Sequence, residues 1–167
     1  MNILETDRLV LCEQTEDDAP FIFELMNSEG WLKYIGDRKI NTVEDARNYI
    51  INGAMKSYRE SGFGFYFVRL KDSNTPIGIS GLVKRDTLEY PDVGFAFLPE
   101  YEGKGYGFES ASAVMEFART VLKLGTIAAI TTKDNTSSIN LLEKIGLNFK
   151  EYVQMGEEEL MLFESKV

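Results

Sequence analysis

The sequence predicts a single α/β domain in which a mixed, mostly antiparallel sheet of about seven strands is flanked by about four helices. Three observations carry this. A chain of 167 residues with 44% hydrophobic and 27% charged side chains has the composition of one ordinary globular unit. Three strand-like segments between residues 65 and 98 follow one another through turns too short for a crossover helix, so their pairing is antiparallel. Beyond Pro99, apolar stripes of helical spacing alternate with short apolar runs, giving the order β-α-α-β-β-β-α-β-α-β-β. The 14 glycines and 4 prolines are scattered, and no repeat or polar linker divides the chain, so residues 1–167 read as one domain.

Residues 9–12 form the first predicted strand. Thr15-Glu16-Asp17-Asp18 opens a helix whose acids suit the positive end of its dipole, with Phe21, Leu25 and Met26 on an apolar face. Around Trp31 the periodicity breaks, and Gly30 and Gly36 predict a loop. Thr42-Val43-Glu44-Asp45 opens a second helix that reaches about Arg59 and stops at Ser61-Gly62. Strands follow at 65–70, 76–83 and 90–98, the last with Val93, Phe95 and Phe97 on one face. A helix from the glycines after Pro99 to about Lys123 carries Phe108, Ala111, Met115, Ala118 and Leu122 as a buried stripe. A short apolar strand spans 126–132. Asp134-Asn135-Thr136-Ser137-Ser138 then opens a helix ending near Gly146, and 147–154 with 159–163 make a terminal hairpin around Gly156.

Composition excludes several classes of function. The net charge of −9 argues against a nucleic-acid binder, which needs clustered Lys and Arg; it would attract a cationic partner, although charge alone is read first as serving solubility. The absence of histidine removes Ser-His-Asp and Cys-His mechanisms and the usual zinc sites, so no metal is expected. No run approaches the ~20 apolar residues of a membrane span, and the amino terminus has no basic region followed by an apolar stretch. With Cys12 as the only cysteine, a reducing, cytoplasmic location is expected. Cys12 lies in a strand-like run, where a buried structural thiol is the better reading than a nucleophile. Monomer and homodimer both remain open.

Glu102-Gly103-Lys104-Gly105-Tyr106-Gly107 lies between a strand and a helix. Its glycines leave the backbone unobstructed, so successive amides can converge on an anion at the helix N-terminus. Taken alone, the glycines fit a plain tight turn equally well. Two rival phosphate loops fail on residues: a Walker loop would need a glycine at Leu98, and a dinucleotide fingerprint would need one at Ser110 and an acid near Gly125.

Residues 101–111 resemble the acetyl-coenzyme A loop of the GNAT superfamily, [QR]-x-x-G-x-[GA]. Asn135-Thr136-Ser137-Ser138, followed by a helix and Gly146-Leu147, is similar to its second signature. Glu5-Thr6-Asp7-Arg8-Leu9-Val10-Leu11 and Ile77-Gly78-Ile79-Ser80-Gly81-Leu82 resemble the branch of ribosomal-protein N-terminal acetyltransferases, the RimJ/RimL-like proteins. The resemblance covers nearly the whole chain. It implies a V-split sheet with pantetheine held between residues 93–98 and 126–132 by backbone around Phe95, Ala96 and Phe97. It further implies pyrophosphate on the amides of Gly103, Lys104, Gly105, Tyr106, Gly107 and Phe108, and a pantetheine bond from Asn135. Glu102 departs from the family's Gln or Arg, and an electrostatic penalty follows unless the carboxylate turns to solvent or pairs with Lys104 or Arg85.

Acyl transfer to an amine needs a neutral nucleophile, an oxyanion donor and a proton for the leaving thiolate. The family's acid is a Tyr seven residues after the Asn; here that position is Leu142. Ser138 is the nearest hydroxyl and resembles the serine used in this branch; helix capping is its equally weighted alternative. Asp92 and Glu89 are the candidate bases, with Glu109 behind them, each weighed against being a plain surface acid. Trp31, Tyr34 and Tyr49 lie in segments that in this branch border the acceptor cleft, with core packing as the alternative. Glu157-Glu158-Glu159 is a further acidic stretch that could draw in a cationic amine, with a solvated hairpin tip as the preferred alternative. The expected activity is transfer of acetyl from acetyl-CoA to a primary amine by direct attack in a ternary complex; the alternative is an acyl-CoA sensor with little turnover.

Overall fold

A computed structural model describes residues 2–166, without the side chain of Lys166. Eight strands form one sheet in the order β1-β2-β3-β4-β5-β6-β8-β7. They are β1 (Asn2–Glu5), β2 (Leu9–Glu13), β3 (Phe65–Leu70), β4 (Pro76–Val83), β5 (Asp92–Phe97), β6 (Thr126–Thr131), β7 (Asn148–Met155) and β8 (Glu158–Lys166). The helices are α1 (Ala19–Met26), α2 (Glu29–Tyr34), α3 (Val43–Ile50), α4 (Lys56–Ser61), α5 (Tyr106–Thr120) and α6 (Thr136–Lys144). A π-helical stretch, Ile51–Met55, joins α3 to α4, so those two form the one long helix expected from the sequence. Its start is a capping box, in which Thr42 Oγ1 accepts from the Asp45 amide at 3.0 Å and Asp45 accepts from the Thr42 amide at 3.1 Å. Its end is Gly62, at φ 81°.

Two elements differ from the sequence expectation. Asn2–Glu5 is an additional edge strand, paired antiparallel with β2 and packing Ile3 and Leu4 against the core. The segment around Trp31 is a short helix rather than a loop. Gly30 weakens its intrinsic helicity, but burial of Trp31 with Met26, Ile40, Ile50 and Leu98 overrides that.

All neighbours in the sheet are antiparallel except β5 and β6. These two run parallel and meet at a single register pair, Asp92 with Ala128, reinforced by the Ala128 amide donating to the Pro91 carbonyl at 2.8 Å. Beyond it β5 runs on to Phe97 and β6 to Thr131 with no further pair, so the sheet opens into a V. Side chains alternate along β5. Val93, Phe95 and Phe97 pack in the core with Val114 and Met115 of α5, while Ala96 and Leu98 pack on the other face with residues of α1, α2 and α3.

Candidate active site

Backbone direction also alternates along β5. The Leu98 amide donates to Ile77 of β4 at 3.0 Å, so Leu98, Ala96 and Gly94 turn their amides and carbonyls toward β4. Those of Phe95 and Phe97 therefore face the opening of the V. Thr132 Oγ1, at the end of β6, is buried without a hydrogen-bond partner. Unpaired backbone along an open slot suits an extended ligand carrying amides.

The glycine loop follows β5. After a 3-10 turn, Pro99–Tyr101, Gly103 and Gly105 take φ values of 71° and 86°, which side chains resist, and Gly105 caps α5. The amides from Gly103 to Phe108 have no backbone partner among the described residues, so they are available to an anion. Gly107 lets the first turn of α5 close on α6, since a Cβ there would stand 3.0 Å from Leu141. Phe108, expected in the buried stripe, is exposed beneath the Lys144 ammonium, 4.9 Å from its ring centre. The end of β6 leads to Asn135, whose Oδ1 caps α6 by accepting from the Ser138 amide at 3.2 Å. That leaves the Asn135 side-chain NH2 free to donate into the slot. Asn135 does the capping, and the half-buried Ser138 hydroxyl has no protein partner among the described residues. Leu142 is buried in the core and offers no proton.

The candidate carboxylates separate by environment. Asp92 sits at the point where β5 and β6 part, with only 2% of its surface exposed, and accepts from Arg85 Nε at 3.0 Å. Burial pushes its carboxyl up to about 6, against the pull of Arg85. Glu89 is exposed on the β4–β5 connection, on the wall of a separate cavity of about 190 Å³ floored by Leu88, Ala128 and Leu162. Glu109 is not available as a base. Thr6 Oγ1 donates to it at 2.5 Å, and Arg8 donates through its amide at 2.9 Å and through Nε at 2.7 Å. Burial alone would raise the Glu109 carboxyl, but these donors hold it below its usual range.

Glu102 takes neither expected partner: Arg85 is engaged with Asp92, and the Glu102 carboxylate lies against α2, 3.4 Å from where a Cβ on Gly30 would stand. Burial and Glu29 raise it. At the other end of α2, Lys33 is raised by Tyr34 and also by Asp134 and Glu29. Trp31 and Tyr34 lie on this helix. Trp31 is buried with an unpartnered Nε1, whereas Tyr49 is exposed on α3. At the hairpin tip Glu159 is already paired with Lys133, which also lies over the Tyr152 ring.

The sheet thus splits between two parallel strands, with an anion loop following one and a capped helix following the other. Residues 8–148 match the Acetyltransferase (GNAT) domain, and the chain belongs to that family. It is 30% identical over 146 residues to YoaA of Bacillus subtilis (strain 168), an uncharacterized N-acetyltransferase, covering 86% of this chain and 81% of that one. A GNAT-family acetyltransferase from Bacillus anthracis superposes with a TM-score of 0.81 at 25% identity, covering 99% and 98% of the two chains. RimL, a ribosomal L7/L12 α-N-protein acetyltransferase in complex with coenzyme A, superposes with a TM-score of 0.83 at 14% identity, covering 100% and 98%. The likeness to RimL is one of fold. The protein is an acetyltransferase with a mixed α/β GNAT fold. No described helix is long and apolar enough to cross a membrane.

Proposed function

We propose that this acetyltransferase uses acetyl-CoA to acetylate a primary amine, with the N-terminus of a peptide or protein ahead of polyamines and other small amines. The observation that carries the donor is the pair of loops at the open ends of β5 and β6: six unpartnered amides on one side and the free Asn135 amide on the other. Pyrophosphate would rest on the amides of Gly103 to Phe108. The pantetheine arm would take its bonds from the backbone of Phe95 and Phe97 and from Asn135. Bound there, acetyl-CoA supplies an activated acetyl thioester.

The acceptor preference rests on proton chemistry. An α-amine of pKa about 7.7–8.0 is roughly a tenth neutral near pH 7, whereas a lysine-like amine of about 10.4 is far below a thousandth. Asp92, ionised above about 6, serves as the proton acceptor in this reading, and the unpartnered Ser138 hydroxyl as the donor to the leaving thiolate. A weak base of this kind suits an α-amine. The same acceptor class appears in the name of RimL.

The unpaired Glu102 carboxylate beside the loop and the buried Leu142 favour one other reading, an acyl-CoA sensor with little turnover. Thiol release from acetyl-CoA, measured against a panel of N-terminal peptides, polyamines and lysine derivatives, separates the two. Turnover is expected with peptides, and kcat/KM should fall as the amine protonates below about 8 and more steeply below a second apparent pKa near 6. Tight coenzyme binding without release on any amine establishes the sensor instead.

A further inference from the structure

Arg8 lies just before β2, 96 residues before Lys104 and 101 before Glu109, yet it bonds both the glycine loop and its helix. Its Nε donates to Glu109 Oε1 at 2.7 Å, its Nη1 donates to the Lys104 carbonyl at 3.1 Å, and its guanidinium lies over the Tyr106 ring, 4.4 Å from the centre. Its backbone amide and the Thr6 hydroxyl complete the grip on Glu109.

We propose that Arg8 is the positioning residue of the anion loop, fixing the direction of the loop amides before any ligand arrives. This rests on the coenzyme reading above. The argument turns on the planarity of the peptide. Holding the Lys104 carbonyl sets the plane of the Lys104–Gly105 peptide, and so points the Gly105 amide to the opposite side. Gly103 and Gly105 have no Cβ to restrict that plane, so without Arg8 it is free to turn over. Gly105 also leaves room for the guanidinium, since a Cβ there would stand 3.2 Å from Nη2. A lysine cannot replace this device. One ammonium on a flexible stem cannot bond Glu109, bond the Lys104 carbonyl and stack on Tyr106 at once.

The test uses ligand-free protein first. Backbone 15N relaxation is measured on wild type, Arg8→Ala and Arg8→Lys, followed by calorimetric titration with coenzyme A and a thermal melt. In wild type the order parameters at Lys104 and Gly105 are expected near 0.85; in both variants they should fall below about 0.6, with Val114 and Ala118 unchanged. Coenzyme A affinity should fall about tenfold, the effect of one lost charge-assisted bond. Unchanged relaxation in Arg8→Ala overturns the proposal. So does full recovery of affinity in Arg8→Lys, which would make Arg8 only a positive charge near phosphate, and so does loosening spread through α5, which would make its role general stability. If wild type does not bind coenzyme A while the loop still depends on Arg8, the coenzyme reading fails and the positioning role stands.

Discussion

Asp92 is both buried and acidic, and its folded-state pKa makes two separate statements. Its carboxyl is pushed up to about 6 from an ordinary 3.8, so the folded state holds this proton more tightly than the unfolded chain does. The stability attached to it is therefore full below about pH 4 and is lost as the pH rises to about 6. Asp92→Asn removes that titration while keeping an acceptor for Arg85. The variant should match wild type near pH 4 and exceed it above pH 6 by roughly 2–3 kcal/mol, read by denaturant unfolding at each pH. In the kinetic assay the same substitution should remove the inflection near pH 6 from kcat/KM and leave the one set by protonation of the amine itself. Loss of that inflection without the stability gain would mean that Arg85 compensates the buried charge fully. Ser138→Ala is expected to lower kcat about a hundredfold with coenzyme affinity little changed, because Asn135 supplies the helix cap. Unchanged kcat would remove Ser138 from the chemistry. Glu102→Gln is expected to tighten coenzyme A binding at low salt, with the gain shrinking at high salt, because the native carboxylate finds no cation among the described residues.

Elements differ in how much of them is local. The long helix from Val43 to Ser61 carries its own start and stop signals, Thr42-x-x-Asp45 and Gly62, and it was legible in the sequence for that reason. Thr42→Ala should cost ~1 kcal/mol of stability in guanidinium unfolding, with activity retained. A loss far above that would show that the cap also orders the α2–α3 connection. β1 and α2 carried no comparable signal. Asn2–Glu5 is a short edge strand that exists through its partner β2, and Glu29–Tyr34 is a helix because Trp31 is buried, in spite of Gly30. The glycine loop was visible as an anion site, but its fastening by Arg8 was not. Nothing in the spacing of Arg8 and Glu109 indicates that they touch.

At the scale of the molecule, two half-sheets meet at one register pair and part beyond it, with separate helices on each side. A ligand in the slot would touch both halves. Coenzyme A at a hundred times its dissociation constant should therefore add about 2.7 kcal/mol of stability, a rise of roughly 5–10 °C in Tm. ADP, which keeps the pyrophosphate but lacks the pantetheine arm, should give much less. An equal rise from both would place the affinity at the loop and leave the slot unused.

The sequence by itself determined the fold class, the strands from 65 to 98, the helices after 105 and 135, and the two loops that point to the donor. Each of these follows from residues close together in the chain: alternation, helical spacing, caps and glycines. Only the tertiary structure decided which carboxylate is buried, where Glu102 points, that Trp31 is buried on a helix, and that Arg8 holds the loop. Burial, pKa and the direction of a side chain are set by neighbours brought in from distant parts of the chain. A one-dimensional reading names the groups able to do the chemistry, and the packing around them selects among those groups.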